Sequence, residues 1–204
     1  HEAIGDAIAA LREEAAACRA CPLWKDATQT VFGEGPQNAT LMLVGEQPGD
    51  KEDLAGHPFV GPAGQMLDRA LKEAGIDRAK VYITNAVKHF KFVQRGKVRL
   101  HQKPGTAEIR TCRPWYQREL AAVRPELVVA LGATAAQSVL GKITPINKNR
   151  GRLIEHDGTR VLVTVHPSYL LRLPDESTKA LEYQRFIDDL KIAAGQLRDA
   201  ADAA

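Results

Sequence analysis

The stretch Thr40-Leu41-Met42-Leu43-Val44-Gly45-Glu46-Gln47-Pro48-Gly49-Asp50 decides the architecture. Its first half is a short continuous apolar run, the pattern of a strand buried on both faces. Its second half is built of Gly, Pro and charged residues, so the chain turns there. Three more runs have the same form: Val81 to Thr84, Leu127 to Leu131 and Val161 to Val165. Between them the spacing turns helical. Met66, Leu67, Ala70 and Leu71 fall at helical intervals within Gly64 to Ala74, as do Ile109, Leu120 and Val123 within Thr106 to Val123. Residues 2 to 17, Ala133 to Leu140 and about Thr178 to Leu197 read as further helices. Strands alternating with helices predict an α/β fold: a three-layer α/β/α sandwich around a central four-stranded parallel sheet.

In such a sheet the site lies beyond the carboxyl ends of the strands. The first strand runs into Gly45, Glu46, Gln47 and Asp50, the second into Asn85, and the fourth into His166-Pro167-Ser168. A carboxylate, a carboxamide and an imidazole are thereby brought to one edge. Phe90 to Gly105 is a long insertion without periodicity, the kind of loop that is functional or disordered.

A chain of 204 residues, 44% hydrophobic and 26% charged, buries a core without staples and is neither disordered nor fibrous. It reads as one domain over residues 1–204, with a basic loop inserted at about 90–105. No apolar run approaches the roughly 18 residues that span a bilayer. The N-terminus is acidic early and is not expected to be a secretory signal, and His1 suggests a natural start upstream. The net charge of +3 says little, but its distribution says more. From Val81 to Ala107 there is no Asp or Glu, while Lys88, Lys91, Arg95, Lys97, Arg99 and Lys103 fall inside the window. Such a loop suits phosphate contacts, or serves only to solubilise. Nothing in the pattern calls for an oligomer or a membrane, so a monomer is expected.

Three cysteines make a disulfide framework unlikely and point to a reducing, cytoplasmic setting. Cys18 and Cys21 form a CxxC pair after a helix rather than after a strand, which disfavours a thioredoxin-like redox site. Two thiolates at that spacing share a metal, Cys112 supplies a third and His89 is the best candidate for a fourth. Three cysteines and one histidine suit zinc as well as an iron–sulfur cluster, and spacing does not separate them.

Longer motifs carry a resemblance. GEQPGDKEDLAGHPFVGPAG at Gly45 to Gly64, YITNAVKHFKF at Tyr82 to Phe92, CRPW at Cys112 to Trp115, ALGATAA at Ala130 to Ala136 and VHPSYLLR at Val165 to Arg172 resemble the uracil-DNA glycosylase superfamily. The likeness is greatest to the iron–sulfur family 4 enzymes and, within that pattern, to the X-type branch. It implies a [4Fe–4S] cluster on Cys18, Cys21, His89 and Cys112, with His89 where family 4 has a cysteine. An imidazole in place of a thiolate makes such a cluster less negative and raises its potential. The X-type branch also has a basic loop ending in His. Here it reads Lys97-Val98-Arg99-Leu100-His101, with Val98 in place of a basic residue.

The resemblance implies excision of uracil from single- or double-stranded DNA. On that reading Asn85 contacts O4 and N3–H of the flipped base, Phe59 stacks on it and His166 donates to O2, where charge builds. Backbone amides around Gly45 to Asp50 and Gly61 to Gly64 help hold the base or phosphates. Lys97, Arg99, Arg172 and Ser168 contact DNA phosphates. Gln47 orients water but is a poor base. His101 attacks the abasic sugar, Glu46 orients its ring and takes its proton, and the protein stays covalently fixed to DNA. Each residue has a plainer reading: Asn85 as a turn former, Phe59 as core, His166 as a satisfied polar residue, His101 as a phosphate contact. Three other functions compete: a turnover family 4 glycosylase, a metal-stabilised binder of damaged DNA, and a redox iron–sulfur protein.

Overall fold

A computed structural model describes residues 2–203, with side chains described from residue 7 to residue 198. Five strands form the main sheet: β1 (Leu41–Gly45), β2 (Val81–Asn85), β5 (Leu127–Leu131), β6 (Leu153–His156) and β7 (Thr159–Thr164). Their order is β2-β1-β5-β7-β6. The four strands read from the sequence pair in parallel, with Leu43 opposite Ile83 and Val129, and Ala130 opposite Val163. The fifth corrects the expected count of four. It is antiparallel to β7 at the sheet edge and joined to it through Asp157 and Gly158, at φ +47° and +79°. Two consecutive left-handed residues match the twist of a tight hairpin, and Asp-Gly is a favoured pair for them.

Each inner strand sends alternate side chains to opposite faces. Met42, Val44, Val128, Ala130, Val161 and Val163 pack on one side against α1 (Glu2–Ala16), α4 (Thr106–Val123) and α5 (Ala133–Leu140). Leu41, Leu43, Ile83, Val129, Leu131 and Leu162 pack on the other. There they meet α3 (Pro62–Glu73), α7 (Pro167–Leu171) and α8 (Glu176–Ala203). Burial on both faces is why these strands read as unbroken apolar runs. At the β7 end of the sheet, Arg150 donates to Asp189 of α8 at 2.9 and 3.1 Å, and Thr164 donates to the same carboxylate at 2.6 Å.

The long insertion is ordered. It contains a second, two-stranded sheet, β3 (Phe92–Arg95) against β4 (Val98–His101), with Phe92 opposite His101. Two short helices complete the count, α2 (Asp50–Ala55) after β1 and α6 (Ile146–Asn149) before β6. Among the described residues no helix is long and apolar enough to cross a membrane.

The connection between α2 and α3 is packed tightly against the sheet. A Cβ at Gly64, in the first turn of α3, would lie 1.9 Å from the backbone oxygen of Phe59. The backbone itself must then move. Gly64→Ala is expected to cost about 2 kcal/mol or more, in the upper range for overpacking, measured by urea unfolding. A variant as stable as the parent would contradict this packing.

Candidate active site

The ends of β1, β2, β5 and β7 open onto one cavity of about 980 Å³. Glu46, Phe59, Asn85, His101, His166 and Arg172 all line it. The strands thus bring together the carboxylate, carboxamide and imidazole that follow them in sequence.

Phe59 enters from the connection between α2 and α3 with φ at +54°, a costly conformation for an aromatic residue. The Glu52 carboxylate closes that connection. It accepts from the amides of Gly49 at 3.0 Å, Val60 at 2.9 Å and Gly61 at 2.6 Å. These amides are therefore spent within the protein and do not serve a ligand. Gly45 leaves room for the ring: a Cβ there would lie 2.5 Å from both Phe59 Cζ and Asn85 Oδ1. The ring stacks on His166 with centroids 5.7 Å apart.

Asn85 is buried, and its Oδ1 has no hydrogen-bond partner among the described residues. An orphaned buried acceptor costs about 1–3 kcal/mol, and this one lines a cavity, where it is open to a donor from outside the protein.

His166 caps α7. Its Nδ1 accepts from the Ser168 amide at 3.1 Å and is 2.8 Å from Ser168 Oγ. Arg172 in turn donates to Ser168 Oγ at 3.3 Å, which leaves the hydroxyl proton for Nδ1. Both contacts put the ring proton on Nε2. Burial lowers the His166 pKa to about 4, against an opposing pull from Glu46. The ring is a neutral Nε2–H donor. Ser168, expected at a phosphate, thus holds His166 in this tautomer. Arg172 stays exposed at the cavity.

His101, the last residue of β4, brings Nε2 to 2.7 Å from Glu46 Oε1. The other carboxylate oxygen accepts from Thr134 Oγ1 at 2.9 Å. Burial alone would raise the Glu46 pKa. Hydrogen bonds from His101 and Thr134 outweigh it and hold the carboxyl below its ordinary value. Glu46 is therefore ionised, an acceptor ready for a proton. Thr134 had no assigned role, although it lies in the ALGATAA motif.

The hairpin that carries His101 is fastened by residues expected elsewhere. Arg99 contacts the carboxylates of Asp50 and Asp53, each at 2.6 Å, and lies over the rings of Phe90 and Phe92 at 5.2 and 5.0 Å. Its guanidinium is committed inside the protein rather than presented to phosphate, and Asp50 faces Arg99 rather than a base. Asp53 is fully buried. Gln47 bridges the base of the hairpin. It donates to Gln102 O at 2.9 Å and Lys91 O at 3.2 Å, and accepts from Lys91 N at 2.8 Å. A carboxamide so engaged anchors the hairpin rather than orienting water. Lys97 is exposed at the hairpin turn, and Lys103 lines the cavity.

The metal-type residues gather on the other side of the hairpin. Cys18 accepts from Trp115 Nε1 at 3.3 Å, and Cys112 is buried one turn away on α4. Burial, helped by the nearby Cys21 and Cys18 and opposed by Lys88, raises the Cys112 thiol to about 11. Thr30 donates to Ala15 O at 3.1 Å, so its oxygen accepts from His89 Nε2 at 2.8 Å. That leaves the His89 Nδ1 lone pair available. Among the described residues, no group of three or more such side chains is arranged to hold a single metal ion. A single zinc ion needs four ligands around one centre, whereas a four-iron cluster takes each ligand on a different iron. By its chemistry the donor set of three thiols and one imidazole suits either group. Arg113, next to Cys112 on α4, donates to Ser138 O at 2.6 Å.

The sequence model described as the uracil DNA glycosylase superfamily matches residues 32–191. A type-4 uracil-DNA glycosylase from Thermotoga maritima is 41% identical over 157 residues, covering 76% of this chain and 78% of that protein. Type-4 uracil-DNA glycosylases from Sulfurisphaera tokodaii and Archaeoglobus fulgidus are 34% and 35% identical. They cover 83% and 79% of this chain, and 78% and 81% of those proteins.

The neutral state of His166 has a measurable consequence. Folded, it takes a proton only at about pH 4; unfolded, at about 6.5. As pH falls through that window the unfolded chain binds a proton that the folded chain refuses, so stability falls. The difference corresponds to about 3 kcal/mol. Between pH 6.5 and 4, urea unfolding should show the parent losing about 3 kcal/mol more than His166→Gln. Equal losses would contradict a neutral imidazole.

Proposed function

This chain belongs to the uracil DNA glycosylase superfamily, and on that premise we propose that it excises uracil from DNA and then bonds to the abasic sugar through His101. The observation that carries the second half is the 2.7 Å contact between His101 Nε2 and the ionised Glu46, made at the cavity that Asn85 and His166 line.

The base is flipped out of the stack into the cavity. The unpartnered Oδ1 of Asn85 accepts from uracil N3–H, and its amide group donates to O4. Cytosine presents the reverse pattern at these two positions, an acceptor at N3 and a donor at N4, so a carboxamide held in this orientation does not match it. Phe59 supplies an aromatic wall. As the N-glycosidic bond breaks, its electron pair passes to uracil N1 and spreads onto O2. The neutral Nε2–H of His166 donates there, where charge develops. Because His166 arrives already oriented by Ser168, little reorganisation is needed at that moment.

The sugar is left electron-poor at C1′. His101 Nε2–H is held by Glu46, so the lone pair on Nδ1 is the nucleophile. As Nδ1 bonds to C1′, the Nε2 proton passes to the Glu46 carboxylate and the alkylated ring ends neutral. Imidazole leaves such a bond poorly, so the product persists. These features favour the X-type reading within the family. The competing reading is the hydrolytic turnover implied by the type-4 names of the relatives. Lys97, Lys103 and Arg172 supply cations for the flanking phosphates on either reading.

The same proposal assigns Cys18, Cys21, His89 and Cys112 to a [4Fe–4S] cluster. Bound there, the cluster ties the segment after α1 to β2 and α4. No chemical step passes through it.

Two experiments test this. A uracil-containing single strand should give a heat-stable shifted band on a denaturing SDS gel, absent with a thymine control. His101→Ser should abolish that band while still releasing uracil. Free abasic DNA without a shifted band from the parent would establish hydrolytic turnover instead. For the cluster, anaerobically purified protein should be brown and contain iron and acid-labile sulfide. Cys112→Ala should lose both, and a colourless protein that holds zinc would overturn the assignment.

A further inference from the structure

Beneath Asn85 lies a charged network that the chemistry above does not use. Lys88 and Glu119 form an ion pair, and each is almost wholly buried. The three protons of the Lys88 ammonium group have three acceptors. They are Thr84 Oγ1 at 2.6 Å, the backbone oxygen of Asn85 at 2.6 Å and Glu119 Oε1. Glu119 accepts in addition from Thr84 at 3.1 Å and from the Tyr82 hydroxyl at 2.5 Å. Three of the last four residues of β2 are therefore bonded to one ion pair.

That pair is an unusual thing to bury for stability alone. Taking two charges from water costs roughly what their attraction returns, and apolar residues of similar size often serve as well. What an ion pair adds is direction. Here every donor and acceptor points at the end of β2. The surroundings are shaped to admit it: a Cβ at Gly33 would strike Glu119 Oε2 at 2.3 Å and the Tyr82 hydroxyl at 2.4 Å. The other side of the same turn is also held. The amides of Ala86 and Val87 donate to the oxygens of Gly45 and Glu46 at 2.8 and 3.0 Å. Asn85 thus sits between the end of β1 and the Lys88 ammonium. Its own Oδ1 is left unbonded and in the cavity.

We propose that the buried Lys88–Glu119 pair is a positioning device for Asn85, fixing the main chain from which the base-reading carboxamide projects. The inference rests on the reading of Asn85 as the uracil-contacting residue. Lys88 and Glu119 touch no substrate; they act through the end of β2. Displacing a reacting or reading group by a fraction of an ångström to an ångström costs about tenfold to a hundredfold in rate. The loss should appear in base release and not in the grip on DNA.

The test uses the full chain with Lys88→Met and Glu119→Met together, so that no lone charge is left buried. Two quantities are read. One is the single-turnover rate of uracil release from a uracil-containing single strand. The other is affinity for the same strand carrying a tetrahydrofuran abasic analogue, which offers Asn85 no base. The pair as a positioning device predicts release slowed about tenfold or more, with analogue affinity within about twofold of the parent. Release at the parental rate overturns the proposal. Equal loss of release and analogue binding also overturns it, since a general structural defect moves both. Should the double variant not fold, Tyr82→Phe removes one donor to Glu119 without leaving a lone charge. It is expected to slow release several-fold at unchanged analogue affinity, and a parental rate overturns the proposal. Asn85→Ala run beside them separates the two ideas. If it releases uracil at the parental rate, the reading of Asn85 fails. If it is inactive while the double variant is not, only the positioning inference fails.

Discussion

The Asp53 carboxylate is fully buried, and three parts of the chain meet on it. It belongs to α2, accepts from Arg99 of the hairpin at 2.6 Å, and accepts from the Thr28 amide at 3.0 and 3.2 Å. Thr28 lies in the segment that follows Cys18 and Cys21. A buried carboxylate without partners is untenable, so its partners are obligatory. The hairpin is thereby drawn down onto α2, and His101 at the end of β4 is carried to Glu46. The two anchors at the hairpin base, Gln47 and Lys91, then close its other end.

Two imidazoles and one carboxylate divide the electrostatic work. His166 is half-buried, neutral and tautomerically fixed, which suits a donor to charge that appears only as a bond breaks. Glu46 is charged in a half-buried setting, because His101 and Thr134 both donate to it. His101 is half exposed, at the end of a hairpin rather than in the core. On the proposed reading the rigid groups contact the base and its developing charge, and the exposed one meets the sugar. Beneath them, Asn85 is backed by a network that ends on α4, seven residues beyond Cys112.

The inner strands were legible because they are buried on both faces and carry no polar interruption. Their ends were legible for the same reason: the apolar run stops where the chain leaves the sheet. The gathering of Glu46, Asn85 and His166 at one edge followed from that. The hairpin was not legible, because most of its side chains are exposed and its hold on the protein comes from Arg99. Charge alone made Arg99 look like a phosphate contact, and nothing in the sequence pairs it with Asp53. Only the fold shows that these two satisfy each other. Gln47 and Ser168 were misassigned for a related reason. Gln47 turns to backbone groups of Lys91 and Gln102 far along the chain, and Ser168 turns back to the ring of His166, a contact that depends on the local fold. The edge strand β6 was announced by Asp157-Gly158, a tight-turn signal that lies between two short strands.

The account stands or falls on the atom that meets the sugar. Protein reacted with a uracil-containing strand is digested with nuclease and protease, and the peptides are sequenced by mass spectrometry. The account predicts a sugar remnant on the peptide that contains His101, with the fragment ions placing it on that residue. A remnant on any other residue, or released uracil with every peptide unmodified, would contradict it.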